Sequence, residues 1–296
     1  MAIPALAGLA MVVLGTGSLL VATSLPARTA TAVVGGNLPI DAGATNPLDL
    51  SSNNSPHLAA NPTNAANLAV VNRIDSPTYS CALHVSFDGG ARWQATTVPF
   101  PAGEQLPARC YAPNVVFASN GTMYVEFVTL YGIGNSPHAV WLSTSHDGGR
   151  TLSTPVRVTG PLAFQVSLAV DPANPDHLDM AWLHATQTGE LLFPNVGNPI
   201  VFSRSTNGGR TWSKPVQVNL PSRVRVVAPS VAVGAGGRLL VSYLDMGNDA
   251  LDYNGGSGGM GGPPYPGPWS LVLAYSNDQG THWGETVIDS KVVPYT

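Results

Sequence analysis

Three arginines lie beside apolar, strand-like stretches, where a ligand could reach them. Arg73 ends one such stretch, and Arg109 and Arg225 precede two others. A guanidinium group pairs with a carboxylate through two parallel hydrogen bonds, so clustered arginines are suited to holding an acidic ligand. Each of the three could instead be an exposed loop charge or half of a structural ion pair. We predict ligand binding at these three arginines, with those alternatives open.

Two carboxylic acids and one tyrosine are the candidates for proton transfer and nucleophilic attack. Glu126 lies inside an apolar stretch, and Asp245 directly follows another one that contains Tyr243. A positioned carboxyl group can deliver or accept a proton, and a tyrosine hydroxyl beside a carboxylate can act as a nucleophile. The alternative for Glu126 is a side chain hydrogen-bonded within a sheet. We predict Asp245, Tyr243 and Glu126 as catalytic candidates.

The sequence offers little for metal or cofactor chemistry. The acidic run 245–254 could supply oxygen ligands for Ca²⁺, but it lacks the glycine and the terminal glutamate of an EF-hand loop. The histidines show no spacing typical of a zinc site, and the glycine-rich stretch 255–262 is not flanked by a strand and a helix. We predict no metal and no cofactor, with Ca²⁺ at the acidic run as the alternative.

One short motif occurs four times and indicates the elements that position these side chains. It reads Ser-x-Asp-x-Gly-x-Thr-Trp with near variants. The Asp or Asn can cap backbone amides, the Gly supplies a positive φ, and the Trp packs beside a hairpin. We call these segments box turns and predict that each forms the tip of a β-hairpin. Their structural residues are Ser86, Asp88, Gly90, Trp93, Ser145, Asp147, Gly149, Ser205, Asn207, Gly209, Trp212, Ser276, Asp278, Gly280 and Trp283.

The stretches around each box turn predict the fold. Every repeat contains four apolar strand-like stretches over about 50–70 residues, the pattern of a β-propeller blade. Helical periodicity is not sustained beyond the N-terminal region. A jelly roll or sandwich does not explain a turn repeated at fixed phase. We predict an all-β chain, a β-propeller of four-stranded antiparallel blades, with four blades visible at 57–105, 106–160, 161–220 and 221–296.

In such blades, the loops that join the second strand to the third and one blade to the next share one face, which is the default binding face. These loops carry most of the remaining polar and aromatic candidates. They include Asp75, Tyr79, Tyr111, Tyr131, His138, Gln165, His184, Glu190, Arg223, Asp249, Asp252, Tyr253 and Trp269.

Composition supports the fold and excludes some partners. Of 296 residues, 10% are charged, and the chain contains 32 Gly and 26 Pro, which suits many short strands joined by tight turns. The formal net charge of −4 provides no basic surface for nucleic acid. We predict no nucleic-acid partner.

The N-terminal stretch indicates export. Residues 2–25 carry no charge, and Ala30-Thr31-Ala32 resembles a signal-peptidase site. We predict a signal peptide at 1–32 and a secreted protein. No Lys or Arg precedes the apolar run, so an uncleaved membrane anchor is the alternative, and only then would the protein contact a membrane.

The chain contains two cysteines, Cys81 and Cys110. In an oxidising compartment they could form a disulfide that joins the first repeat to the start of the second. The alternative is a pair of unpaired buried thiols. We predict the disulfide.

The box turns resemble those of the sialidase-like β-propellers with Asp-box (BNR) repeats, and the resemblance covers essentially the whole chain after residue 32. Leu152 and Asn207 depart from the motif, and Asn72-Arg73-Ile74-Asp75 resembles the family's Arg-Ile-Pro signature except at Asp75. The resemblance implies boxes opposite the active site and a glycoside hydrolase of exo-sialidase type acting on extracellular glycans. The alternative is a non-catalytic secreted propeller that binds glycans or cell-surface proteins through its loop face.

The resemblance also bears on blade number. Sialidases of this family resemble six-bladed rings, whereas four blades are visible here. We expect a fragment of a longer six-bladed propeller, with the N-terminal segment 33–56 supplying a ring-closing strand. A four-bladed ring is the alternative. The nucleophile of the six-bladed relatives comes from a late blade that these four do not include.

Overall fold

The computed structural model describes residues 53–75, 79–104, 109–132, 136–185, 197–247 and 268–292. Within these ranges the regular structure is sixteen β-strands and one short 3-10 turn at Ala235–Gly237. In chain order the strands are β1 (Asn53–Ala60), β2 (Leu68–Ile74), β3 (Ser80–Ser86), β4 (Gln94–Thr96), β5 (Cys110–Phe117), β6 (Met123–Tyr131), β7 (Ser136–Ser145), β8 (Val156–Thr159), β9 (Ala163–Val170), β10 (Leu178–His184), β11 (Ile200–Ser205), β12 (Val216–Gln217), β13 (Val226–Val233), β14 (Leu239–Asp245), β15 (Trp269–Ser276) and β16 (Gly284–Val292).

Each run of four consecutive strands forms one antiparallel sheet, so β1–β4, β5–β8, β9–β12 and β13–β16 make four blades. The prediction of an all-β chain with four-stranded antiparallel sheets is confirmed. Packing joins blade 1 to 2, 2 to 3 and 3 to 4, mainly through the inner strands β5, β9 and β13. We call each of these three interfaces a seam. The described sheets do not close into a ring, so the six-bladed ring stays a prediction.

The second strand of each blade shows why the blades stack. In β6 eight of nine residues are buried, because both faces of the strand pack against a neighbouring blade. Met123 and Val125 belong to the apolar core with blade 1, while Tyr124 and Val128 belong to the core with blade 3. Blades 3 and 4 share a third core. The stabilisation that the fold gains by burying apolar side chains therefore comes mainly from the seams between blades.

The four inner strands share a backbone irregularity. Ser55, Ala112, Gln165 and Ala228 all have positive φ, between 47° and 55°, and the strand register shifts beside each of them. Such a bulge inserts a residue and bends the strand. The bulge interrupts the alternation of side chains between the two faces of the strand. The first residues of each inner strand therefore do not follow the alternation that packs side chains into the seams.

The structure places every box turn between the third and fourth strands of its blade. In blade 2, the Ser145 hydroxyl donates to Asp147 Oδ1 (2.7 Å) and accepts from the Gly149 amide (2.9 Å), and Asp147 Oδ1 also accepts from the Thr151 amide (3.0 Å). Partial burial raises the pKa of Asp147, but the hydrogen bonds from Thr151 and Ser145 outweigh burial and lower it to about 2. The same three bonds recur in the other box turns, with Asn207 Oδ1 replacing a carboxylate oxygen.

The box glycines also lock one blade to the previous one. A Cβ atom on Gly209 would lie 2.2 Å from Leu142 Cδ2, and one on Gly280 would lie 2.3 Å from a Phe202 ring carbon, each in the preceding blade. Gly149 is equally tight against Val85, at 2.6 Å. Each of these positions therefore needs glycine for its positive φ and for seam contact.

The box turns lie at one end of the sheets, and the loops that join strands two and three or successive blades lie at the other, which we call the connecting face. Of the predicted N-terminal segment 33–56, the described part, 53–56, belongs to β1, the inner strand of blade 1. The described residues contain no helix with the length and apolarity to cross a membrane. The predicted signal peptide or anchor lies outside the described residues.

Candidate functional site

Arg73, near the end of β2, is the centre of a polar cluster at the connecting face. Its guanidinium makes two hydrogen bonds to Asp75, from Nε to Oδ1 (2.5 Å) and from Nη2 to Oδ2 (3.1 Å). Its Cζ lies 5.3 Å from the ring centre of Tyr79 and 4.8 Å from that of Tyr111. Asn54 Nδ2 donates to Asp75 Oδ2. We call these five residues the arginine cradle.

The arginine cradle remains accessible from solvent. The side chains of Arg73 and Asp75 are 17% and 25% exposed. Partial burial lowers the pKa of the Arg73 guanidinium, but the hydrogen bond and charge of Asp75, together with Tyr111 and Tyr79, outweigh burial and raise it. The cradle therefore combines a fixed ion pair with two aromatic rings, groups that can respectively bind hydroxyl groups and pack against a flat apolar surface.

A disulfide lies beside the arginine cradle. Cys81 and Cys110 are bonded with their Cα atoms 5.5 Å apart, so the predicted disulfide is confirmed. Cys81 pairs with Arg73 in the register of β2 and β3, and the Cys110 amide donates to the Tyr79 carbonyl at 3.1 Å. The bond thus joins blade 1 to blade 2 at the connecting face.

A second cluster lies at the same face on blade 2. His138 Nδ1 lies 2.8 Å from one carboxylate oxygen of Glu104 and 3.1 Å from the other. The imidazole stacks on Tyr131, with ring centres 3.9 Å apart and planes 14° apart. Sequence reasoning singled out Tyr131 and His138 as loop residues and missed Glu104, which is 34 positions from its partner and carries no motif.

The predicted catalytic pair of blade 4 is part of a partly buried network at the third seam, in which the Arg223 and Asp245 side chains are 20% and 13% exposed. The Tyr243 hydroxyl donates to Glu285 Oε1, Arg223 donates to Glu285 Oε2 (2.8 Å) and to Asp245 Oδ2 (2.6 Å), and the Leu220 amide donates to Glu285 Oε1 (2.8 Å). Tyr243 is only 1% exposed. Burial and the hydrogen bond to Glu285 raise the pKa of the Tyr243 hydroxyl, which favours its neutral form. The structure therefore brings Tyr243 and Asp245 together around Arg223, and it adds Glu285, which sequence reasoning missed.

Glu126 has a different environment. It is 0% exposed, and among the described residues neither of its carboxylate oxygens has a hydrogen-bond partner. It lies on the same face of β6 as Tyr124 and Val128, which pack in the second seam. Burial raises the pKa of its carboxyl group well above the ordinary value. Glu126 is thus a buried carboxylic acid within the blade packing.

The two remaining predicted arginines are placed by their backbones. The Arg109 carbonyl accepts from the Leu130 amide (3.1 Å), and the Arg225 carbonyl accepts from the Met246 amide (2.9 Å), which fixes both positions at the starts of inner strands. The acidic run proposed for Ca²⁺ falls mostly outside the described residues, at 248–254. Asp245 from that run accepts from Arg223 and from the Gly247 amide. Within the described ranges no group of three His, Cys, Asp or Glu residues could hold a metal ion.

Comparison of the sequence with known proteins places parts of this chain beside large polysaccharide-degrading enzymes. It is 30% identical over 141 residues to a xyloglucanase of Paenibacillus sp. and 30% identical over 157 residues to the xyloglucanase Xgh74A of Acetivibrio thermocellus. The matches cover 43% and 51% of this chain but only 12% and 16% of those proteins. No family model matches the chain.

Solved structures support the fold. The α-L-arabinofuranosidase Arb93A of Fusarium graminearum aligns with a TM-score of 0.58 at 15% identity, over 82% of this chain and 68% of the enzyme. The α-L-arabinanase of Penicillium chrysogenum gives a TM-score of 0.54 at 15% identity, over 82% and 69%. The Trypanosoma rangeli sialidase gives 0.51 at 15% identity, over 80% and 37%. The chain therefore shares with these structures the architecture of four-stranded antiparallel β-propeller blades.

Proposed function

We propose that this chain recognises a neutral extracellular glycan through its connecting face, with the arginine cradle as the sugar-binding seat. The observation that carries the proposal is the Arg73–Asp75 pair, whose guanidinium lies against the rings of both Tyr79 and Tyr111. Sugar rings present hydroxyl groups at their edges and C–H groups on their faces. An ion pair flanked by aromatic rings offers partners for both, in a site that is partly accessible.

The charges at the connecting face favour a neutral glycan over an acidic one. Arg73 already makes two hydrogen bonds to Asp75, and Arg223 is held by Asp245 and Glu285. A sugar carboxylate would have to compete with these internal carboxylates for the guanidinium donors. The sialidase-type activity suggested by the family resemblance therefore ranks behind recognition of neutral sugars.

The relatives support the same direction. Two are named xyloglucanases, and the solved structures include an arabinanase and an arabinofuranosidase, whereas the sialidase, at a TM-score of 0.51, favours an acidic sugar. The disulfide supports an extracellular location, because such bonds persist in oxidising compartments. We propose xyloglucan-type or arabinan-type oligosaccharides as the first ligands to test.

Binding and hydrolysis are separable parts of this function. Most glycosidases use two carboxyl groups on either side of the scissile bond, and sialidases use a tyrosine in place of the nucleophilic one. Asp75 is at the cradle, Asp245 is held by Arg223, and Glu126 and Tyr243 are buried in seams. We therefore propose glycan binding as the primary activity, with hydrolysis scored in the same samples by the appearance of reducing ends.

Calorimetric titration of the full chain with xyloglucan oligosaccharides, arabino-oligosaccharides and sialyllactose tests the proposal. We expect binding to one of the neutral ligands and none to sialyllactose. Tyr111→Ala should weaken that binding about tenfold, because an aromatic contact near the upper end of its usual range contributes about 1.4 kcal/mol.

The chain offers a matched control for that substitution. Arg238 lies over the ring of Tyr275, 4.6 Å from its centre, at the box-turn end of blade 4. Tyr275→Ala removes a comparable ring from a comparable arginine on the other face and should leave glycan affinity unchanged. Equal losses in the two variants, or tight binding of sialyllactose, would contradict the proposal.

A further inference from the structure

We propose that the Cys81–Cys110 disulfide positions the arginine cradle, so that the oxidised chain binds ligand more tightly at the connecting face than the reduced chain does; the identity of the ligand rests on the proposed function above. The disulfide is a positioning device here, because its sulfur atoms act through the two tyrosines and Arg73.

The two cysteines directly adjoin the residues of the cradle. Tyr111 follows Cys110, and Tyr79 precedes Cys81 by two positions. Cys81 is also the register partner of Arg73 on the neighbouring strand. The covalent bond therefore limits the spacing between the two chain segments that carry the rings in contact with the guanidinium.

The lengths of the connections between blades explain why this seam needs a crosslink. The link from β8 to β9 is residues 160–162 and the link from β12 to β13 is residues 218–225, whereas the link from β4 to β5 is residues 97–109. A link of three residues fixes where the next inner strand begins, and a link of thirteen does not, because a longer loop allows many more end positions. At the start of β5 the disulfide adds a covalent constraint to the backbone hydrogen bonds that Arg109 and Cys110 make there.

The opposite end of the same seam is held without the disulfide. Asn67 Nδ2 donates to the Gly148 carbonyl (3.0 Å), Thr96 Oγ1 donates to the Gly149 carbonyl (2.6 Å), and Gly149 packs closely against Val85. These contacts lie at the box-turn end. Opening the disulfide should therefore release the cradle end of the seam while the box-turn end stays packed.

Reduction by dithiothreitol is the probe. One of its thiolates attacks a cysteine Sγ, forming a mixed disulfide and releasing the other cysteine as a thiol. Its second thiolate then closes the oxidised ring and releases the remaining cysteine. Two electrons and two protons pass from dithiothreitol to the protein, and the segments that carry Tyr79 and Tyr111 lose their covalent link and keep only the backbone hydrogen bond from Cys110 to Tyr79.

The experiment compares the oxidised chain, the reduced chain and the Cys81→Ser/Cys110→Ser double variant at a temperature far below thermal unfolding. Two quantities are measured: the affinity for a xyloglucan oligosaccharide, and the hydrogen-exchange rate of the Arg73 Nε–H, assigned in ¹⁵N spectra with Arg73→Lys. We expect affinity about tenfold lower without the disulfide, roughly the effect of losing one aromatic contact. Exchange at Arg73 Nε should become faster, and dithiothreitol should not affect the double variant.

Near-ultraviolet circular dichroism from the box-turn tryptophans serves as the folding control. If the serine variant does not fold, Cys81→Ala/Cys110→Val, an apolar pair of similar volume, takes its place. Unchanged Arg73 exchange together with unchanged affinity after reduction would overturn the inference. If the oxidised chain binds none of the glycans, the proposed function fails, while the Arg73 exchange rates still decide whether the disulfide positions the cradle.

Discussion

The box-turn face and the connecting face are the two ends of the same sixteen strands, yet they are held by different kinds of contact. At the box-turn face, hydrogen bonds between residues two to four positions apart repeat in all four blades, and a glycine from three of the turns packs into the preceding blade. At the connecting face, each cluster occurs once and includes partners from segments far apart in sequence, such as Tyr111 beside Arg73 or Glu104 beside His138. Repetition therefore supplies stability at one end and leaves the other end free to differ.

The same contrast appears in two Arg–Asp pairs with nearly identical geometry. Arg204 and Asp179, at the box-turn end of blade 3, are joined at 2.7 and 2.9 Å and are 8% and 0% exposed. Arg73 and Asp75, at the connecting face, also make two hydrogen bonds to each other, but their side chains are 17% and 25% exposed. Burial makes the first pair structural, while the second remains partly exposed to solvent.

The largest expected effect separates these two pairs. Asp179→Asn leaves the buried Arg204 charge without its counter-ion and should lower the free energy of unfolding by about 3–5 kcal/mol. Asp75→Asn breaks a pair that water can reach and should cost about 1 kcal/mol or less. Urea unfolding of both variants measures the difference. Similar losses in the two variants would contradict the assignment of separate roles to the two faces.

The next effect concerns the box glycines. Gly209→Ala introduces a Cβ 2.2 Å from Leu142 at a φ of +83°, whereas Gly90→Ala, at a φ of +94°, meets its nearest atom at 3.5 Å within its own blade. Both pay a backbone cost of about 1–2 kcal/mol, and only Gly209→Ala adds an overlap of about 1–3 kcal/mol. In thermal or urea unfolding, the Gly209→Ala variant should be clearly less stable than the Gly90→Ala variant. The reverse ranking would show that the seam contact does not limit this position.

A smaller effect is expected from Glu126, which belongs to neither face. Because burial raises its folded-state pKa, the unfolded chain loses this proton near the ordinary value of 4.5 while the folded chain keeps it. The unfolded state then binds fewer protons, so stability contributed at acidic pH is lost as pH rises from 4.5 through the folded pKa. Glu126→Gln should remove this slope.

Urea unfolding of the wild type and Glu126→Gln at several pH values above 4.5 checks this. The acidic residue Asp147 does not interfere, because its lowered pKa of about 2 places its own titration below that window. Parallel pH profiles for the two proteins would mean that Glu126 is ionised in the folded chain.

The smallest effect is expected at Leu152, the one position where a box turn lacks the tryptophan found in the other three. Trp93, Trp212 and Trp283 each donate from Nε1 to the carbonyl of their box glycine at 3.0–3.1 Å, and Leu152 stands at the same position in blade 2. Leu152→Trp should add the missing bond and raise the free energy of unfolding by about 0.5–1.5 kcal/mol. A loss of stability instead would show that blade 2 has adapted its packing to leucine.

What could be predicted from the sequence follows the same division. The box turns, the blade pattern and the disulfide were accessible, because short-range hydrogen bonds and alternation leave a local signature in Ser145, Asp147 or Gly149. The partners at the connecting face were not. Glu285 lies 42 positions from Tyr243, and its role depends on how two strands and a loop meet across a seam, which no local pattern encodes.

The one crosslink in the described chain also has a mechanical consequence. Since each blade contacts only its neighbours, a force applied between residues 53 and 292 should peel blades away one at a time. The disulfide keeps the 29-residue segment between Cys81 and Cys110 from being stretched. In a single-molecule pulling experiment, the extension would therefore be shorter by about 100 Å. The disulfide thus limits how far blades 1 and 2 can be pulled apart, and its reduction would allow the chain to reach its full extension.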